Sequence, residues 1–363
     1  MKKFRLTTID IYIIKKFLGT FFFALTMIMA IVIVFDVAEK VDNFMEKDVP
    51  WNEILFVYYI NFIPYFANFF SPLFVFISVI FFTSKLTGDS EIVAILTSGV
   101  SYRRLMYPYF ISALFLATLS FYLTSYVIPD ANKKRIAFEL KYIDHAQGFY
   151  KRNIHKQIEP GVFAYLESYD NSRDIGYKFS IEKFEGKKLV SKLMADRVSW
   201  DSTIQKWKVK NYYIRDYIGN KEKISTGSSI DTAINLKPKD FKRALKSIET
   251  LNSKELKKFI AEQEMRGDDN LEAYKVEEYK RFAFPFSTFI LTLIGVSLST
   301  QKRRGGTGLN IGIGLTLSFL YILFMQVFTE LAKASTVPSL FAVWFPNILF
   351  LTIGVFLYLI APK

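Results

Sequence analysis

Six long stretches of this chain carry no charged residue, and they fall into two groups of three. The first group lies between Lys16 and Asp36, between Glu53 and Lys85, and between Arg104 and Asp130. The second lies between Arg281 and Lys302, between Arg304 and Glu330, and between Lys333 and Lys363. At about 1.5 Å of rise per residue, a helix through each can cross a hydrocarbon core of about 30 Å. The pattern predicts three membrane spans, a polar interval and three more spans. Span two holds Pro64 and Pro72, span three Pro108 and span four Pro285; each proline removes a ladder hydrogen bond and predicts a kink. The first stretch is followed by an acidic segment and by no small-residue cleavage site, so it reads as a span and not as a signal peptide.

The polar interval changes period. Residues 131–148 read as helix. From about Asn153 the runs GVFAYLES and YKFSIEKF alternate, and KWKVKNYYI places Trp207, Val209 and Tyr213 on one side against Lys206, Lys208 and Lys210 on the other. Turn-rich DNSRDIG, EGKK and YIGNKE separate these runs, which predicts an antiparallel sandwich or open barrel. Asn252 with Glu255 marks the start of a helix that puts Leu256, Phe259 and Ile260 on one face. The expected division is a first membrane half over residues 1–130, a β-domain with flanking helices over 131–275, and a second membrane half over 276–363.

A shorter polar break, Ser84–Leu105, separates spans two and three. In it Ile92, Ile95, Leu96 and Gly99 fall at i, i+3, i+4 and i+7, one face of a small helix over about 88–99. Asp89 and Ser90 stand where an N-cap belongs, Glu91 in the first turn and Gly99 at C′, while Arg103 and Arg104 open the next apolar run. A small helix tied between two spans can be pushed from the cytosol and can move both.

Composition agrees with a membrane protein: 51% of residues are hydrophobic and 17% aromatic. The net charge of +13 does not indicate a nucleic-acid partner. The interval Asp130–Arg281 holds 32 Lys and Arg against 24 Asp and Glu, intermixed, and the remaining excess flanks the spans. Lys2, Lys3, Arg5, Lys15 and Lys16 precede span one, Lys85, Arg103 and Arg104 flank the break, and Lys302, Arg303 and Arg304 follow span four. The loop Asp36–Glu53 instead holds two lysines and six acids. The positive-inside rule therefore puts both termini, the break and the QKRRGG loop in the cytoplasm and the long interval outside.

Candidate chemistry narrows the picture mainly by subtraction. There is no cysteine, which removes thiol chemistry and zinc–thiolate sites. His145 and His155 lie in a polar region and read as structural or surface residues, and no G-x-x-x-x-G-K-[ST] loop is present to cradle ATP. No catalytic residue, metal or cofactor is expected. The spans lack the Asp, Glu, His or Lys that ion-coupled transporters keep in the bilayer, so any energy source must come from a partner, and the cytosolic break is its point of entry. Lys40, Lys133, Lys134 and Arg135 lie near the expected outer ends of spans one and three. They read either as interfacial charges that snorkel or as a cationic ring for an anionic lipid head group.

Three stretches carry a resemblance: EIVAILTSGVSYRRL after span two, ADRVSWD with KWKVKN in the interval, and KRFAFPFSTFILTLIGVSLSTQKRRGG across span four. In this order the chain resembles the lipopolysaccharide-export permeases of the LptF/LptG type. The resemblance implies an α-helical inner-membrane protein of Gram-negative bacteria, with six spans and an inserted periplasmic β-jellyroll-like domain. It implies no enzyme, but a transport subunit served by a cytosolic ABC ATPase dimer. A homologous permease subunit, a periplasmic bridge protein and lipopolysaccharide would be its other partners. Asp89, Glu91, Ile92, Ile95, Leu96, Arg103 and Arg104 would couple to the ATPase. Lys40, Lys133, Lys134 and Arg135 would meet the head group. Phe163 or Tyr165, Phe179, Ile181, Trp207 and Val209, as inward-facing strand residues, would meet the acyl chains. The rival reading is a membrane-anchored periplasmic scaffold or receptor without transport.

Overall fold

The computed structural model describes residues 6–143, 151–170, 173–202, 204–219, 221–232, 245–265, 268, 270–300 and 306–361. His145, Asn220, the basic residues Lys302, Arg303 and Arg304, and Lys363 lie outside them. The chain divides into two compact units. One comprises Met1–Phe138, Glu249–Ser253 and Glu272–Lys363, and the other Glu139–Ile248 and Lys254–Leu271.

The first unit holds six helices long and apolar enough to cross a membrane. Helix α1 (Thr8–Glu46) starts with a capping box, in which Thr7 and Asp10 satisfy each other's end of the first turn. It continues through most of the stretch expected as an outer loop. Asp36 and Lys40, paired one turn apart, and Phe44, edge-on to Tyr58 and Phe138, give those residues a helical face to bury. Span two begins as a π-helical segment, Glu53–Tyr59, and continues as α2 (Ile60–Gly88). At the junction the Ile60 N–H donates to the Leu55 carbonyl five residues back. This wide turn comes just before Pro64, which brings no N–H of its own to the ladder. After α3 (Glu91–Thr97), span three repeats the device: α4 (Tyr102–Tyr122), a π turn at Leu123–Val127, then α5 (Ile128–Tyr142) with Pro129 second in line.

The second set of spans is α7 (Leu271–Ser299), α8 (Gly306–Lys333) and α9 (Ser339–Ile360). Helix α7 is central: 72% of its most apolar stretch is buried, against 17% for α1 and for α8. Phe76 and Ile80 of α2 pack with Ile290, Leu291 and Ile294 of α7 and with Tyr321 of α8. Gly314 allows that approach, since a Cβ there would lie 2.1 Å from the Ile80 side chain.

Among the described residues of the second unit, six strands form one antiparallel sheet in consecutive order: β1 (Lys151–Glu159), β2 (Val162–Asp170), β3 (Ile175–Glu185), β4 (Lys188–Asp201), β5 (Lys206–Ile218) and β6 (Lys221–Thr232). Two rows of facing residues make its core. One is Ile154, Leu166, Phe179, Ala195 and Tyr212; the other is Tyr169, Gly176, Val198, Val209 and Ile230. Along β2 to β5, the strands that contribute to both, the two rows are an odd number of residues apart, so simple alternation would put them on opposite faces. Lys178 (φ 50) and Asn211 (φ 54), left-handed residues between the rows on β3 and β5, accompany this change of parity. Both rows therefore face inward across a bend whose outer side is polar, with Lys178 bonded to Asp196 and Arg197 over the Tyr177 ring. Helix α6 (Ser253–Met265) buries Leu256, Phe259 and Ile260, as its pattern predicts.

Candidate functional site

The base of the first three spans gathers around α3. Asp89 is the C-cap of α2, and Ser90 turns the chain with φ 63 and makes no side-chain cap. Ser90 thus occupies the expected N-cap position, its carbonyl accepting from the Ala94 amide at 3.0 Å, but its left-handed backbone, where a capping side chain needs an extended one, leaves the hydroxyl out of the cap. Gly99, with φ 90, closes the helix at C′. Glu91 accepts a hydrogen bond from the Tyr12 hydroxyl at 3.2 Å. Ile92 is buried, and Ile95 and Leu96 pack against the same cluster of Phe17, Phe82, Leu86, Leu105 and Tyr109. Ile92 is thus taken up by the protein's own spans, while Ile95 and Leu96 are half-buried against them. The surface that α3 offers outward is Val93, Ala94 and Thr97.

Arg104 is not a free cation at the end of this segment. Its guanidinium donates to both oxygens of Asp10, at 2.6 Å each, while Asp10 also accepts from the Thr7 amide at 2.7 Å and the Thr7 hydroxyl at 2.9 Å. The Asp10 side chain is 2% exposed. Arg103, its neighbour, is exposed.

At the Glu46 end of α1, Lys40 is also occupied. It pairs with Asp36, donates to the Tyr58 hydroxyl and lies over the Tyr58 ring; the Tyr59 hydroxyl donates to the other Asp36 oxygen at 3.1 Å. Arg135 stacks on Tyr65, with Glu249 3.9 Å away, and Lys133 pairs with Asp130. Lys134 is exposed. Of the four cations expected near the head group, Lys40, Lys133 and Arg135 thus each have an acidic or aromatic neighbour. Beside the Lys40 network lies an apolar groove of about 860 Å³, lined by Ile33, Val37 and Val41 of α1 and by Trp51, Leu55 and Tyr59 at the start of span two.

On the sheet, Phe179, Trp207 and Val209 are buried on the inward face and Ile181 packs beside them. Ala164 and Leu166 are the inward residues of β2, so Phe163 and Tyr165 stand on the opposite face, corrected by one residue of register. Phe163 lies against Phe184, and Tyr165 against His155. Tyr213 also faces away from Trp207 and Val209, because the left-handed Asn211 turns Tyr212 inward in its place.

The family model described as lipopolysaccharide export system permease LptF/LptG matches residues 11–360. The chain belongs to that family. Comparison with curated proteins gives no match. As an LptF/LptG permease it is a lipopolysaccharide export subunit, a multi-pass protein of the inner membrane with a β-domain inserted between its third and fourth spans. Two residues that organise the base of this permease, Asp10 and Tyr12, were not among those singled out from sequence. The T-x-x-D spacing of Thr7 and Asp10 shows a helix start, but not that Asp10 also meets an arginine 94 residues away. The groove residues carried no signal distinct from that of any lipid-facing helix.

Proposed function

We propose that the chain is one permease half of an ATP-driven extractor. It takes lipopolysaccharide from the outer leaflet of the inner membrane and hands it to a periplasmic bridge. A homologous permease completes the pair, and a cytosolic ABC ATPase dimer supplies the energy. Both termini lie in the cytoplasm, and the β-domain lies in the periplasm, as the charge bias favours.

The observation that carries the energy input is α3. It stands between two spans, its inner side is packed into their core, and Val93, Ala94 and Thr97 face out. A helix held this way moves only with the spans it is packed on, so a partner gripping its outer face moves those spans. The apolar groove at the far end of α1 is then the place where acyl chains first leave the bilayer. The inward sheet residues Phe179, Ile181, Trp207 and Val209 receive them next. Closure on ATP binding drives the transfer.

Ala94→Arg tests this reading. It places a charge on the outward face of α3 without touching the packed one, so the chain should still insert and still bind its permease partner. Co-purification with the ATPase from mild detergent should fall sharply. Undiminished co-purification would remove α3 as the docking element. Ile95→Asp, by contrast, unpacks the core of the spans and lowers the yield of folded protein.

A further inference from the structure

Helix α1 is gripped at two places, at its base and from Asp36 to Phe44. From Thr8 to Phe21 it buries Asp10, Ile13, Phe17 and Phe21; between there and Phe44 only Met29 is buried. The stretch between these two grips is lightly packed and belongs to one continuous helix, so a shift of the base is carried along it to Ile33, Val37 and Val41 of the groove.

Two polar links grip this base, and both lead to the ATPase-facing segment. Tyr12 donates to Glu91, in the first turn of α3. Asp10 takes the full fork of Arg104, in the first turn of α4, which follows α3 closely in the chain. Neither end of this second link is placed there by local structure alone. Arg104 is three residues past the Ser101 N-cap, at the end of a helix dipole that repels cations. Capping Thr7 would occupy only part of the Asp10 carboxylate, yet both of its oxygens are taken by Arg104. A buried carboxylate gripped by a planar fork has one low-energy geometry, which makes the link stiff as well as strong.

We infer that the Asp10–Arg104 pair, with Tyr12–Glu91 beside it, is a transmission clamp: positioning residues that make α1, and with it the groove, move when the ATPase moves α3 and α4. The inference rests on the ATP-driven reading above. The bland alternative is a staple that merely stabilises the fold.

The test uses the complete transporter in proteoliposomes, with the chain, its permease partner and the ATPase. Lipopolysaccharide released and ATP hydrolysed are measured in the same sample. In Asp10→Asn and Arg104→Lys the ATPase should remain bound and hydrolyse ATP near the parent rate. Release per ATP should fall roughly tenfold, within the usual range of coupling between sites. Arg104→Lys keeps the charge and loses only the fork, so it guards against simple misfolding. Asp10→Arg combined with Arg104→Asp should recover most of the loss. Because the chain has no cysteine, Asp10→Cys with Arg104→Cys can also be bridged by a short bifunctional thiol reagent, which should restore release per ATP. Unchanged release per ATP in both single variants would overturn the clamp. So would a parallel fall in hydrolysis and release, which is the signature of a staple. A parent transporter that ignores ATP would sink the export mechanism itself.

Discussion

Tyr169 shows how a single side chain reports on the β-domain. It is fully buried in the second inward row, edge-on to Trp207, and its hydroxyl donates to Asp174 at 3.0 Å. Burial first, and the adjacent Asp174 carboxylate second, push its ionisation well above the ordinary tyrosine value. The phenol is thus harder to ionise folded than unfolded. Its contribution to stability is complete below the ordinary tyrosine pKa of about 10 and is lost as pH rises above it. Amide exchange of β2 should accelerate steeply above about pH 10 in the parent, and Tyr169→Phe should flatten that rise. An identical profile in Tyr169→Phe would assign the alkaline lability to another group. The charged residues teach the complementary lesson. In the sequence Lys40 and Arg104 are cations at the edges of apolar runs, and nothing local shows that Asp36 and Asp10 already hold them. Arg104 finds its partner 94 residues away, a distance over which pattern carries no information.

At the scale of elements, the period of the hydrophobic pattern is a reliable guide to which face is buried and silent on what buries it. The stripe Ile92–Ile95–Leu96 is legible as one helix face, but the same spacing serves docking onto a partner and packing onto the chain's own spans; Ile92 is fully packed on the spans, and Ile95 and Leu96 only in part. The strands fail differently. Alternation in KWKVKNYYI breaks at Asn211, and a left-handed residue flips every side chain beyond it, which is why Tyr212 and not Tyr213 joins the core. The spans themselves were legible because charge-free length is a demand of the bilayer. Their true extents were not: α1 and α7 run well past the apolar stretch, where amphipathic packing takes over from lipid. The prolines predict kinks in spans two and three; what the sequence does not show is that the helix widens into a π turn shortly before Pro64 and again just before Pro129.

For the whole molecule, the proposed export route has the two compact units act on one cargo, and the orientation of the chain decides whether they can. A reporter active only in the periplasm should be active when inserted after Gly219, which follows β5, and silent when fused at Lys363. The reverse pattern would put α3 on the wrong side of the membrane for any cytosolic partner. If the orientation holds, the central claim is that ATP moves lipid from the groove to the inward face of the sheet. It is tested most directly by replacing single residues with a photo-crosslinker in the complete transporter and asking which capture lipopolysaccharide. Val37, in the groove, should capture it with or without ATP. Val209, on the inward face, should capture it only when ATP is present and the ATPase is intact. Phe163, equally apolar but on the opposite face, should capture little under either condition. Capture at Val209 that is independent of ATP, or equal capture at Phe163 and Val209, would contradict the account.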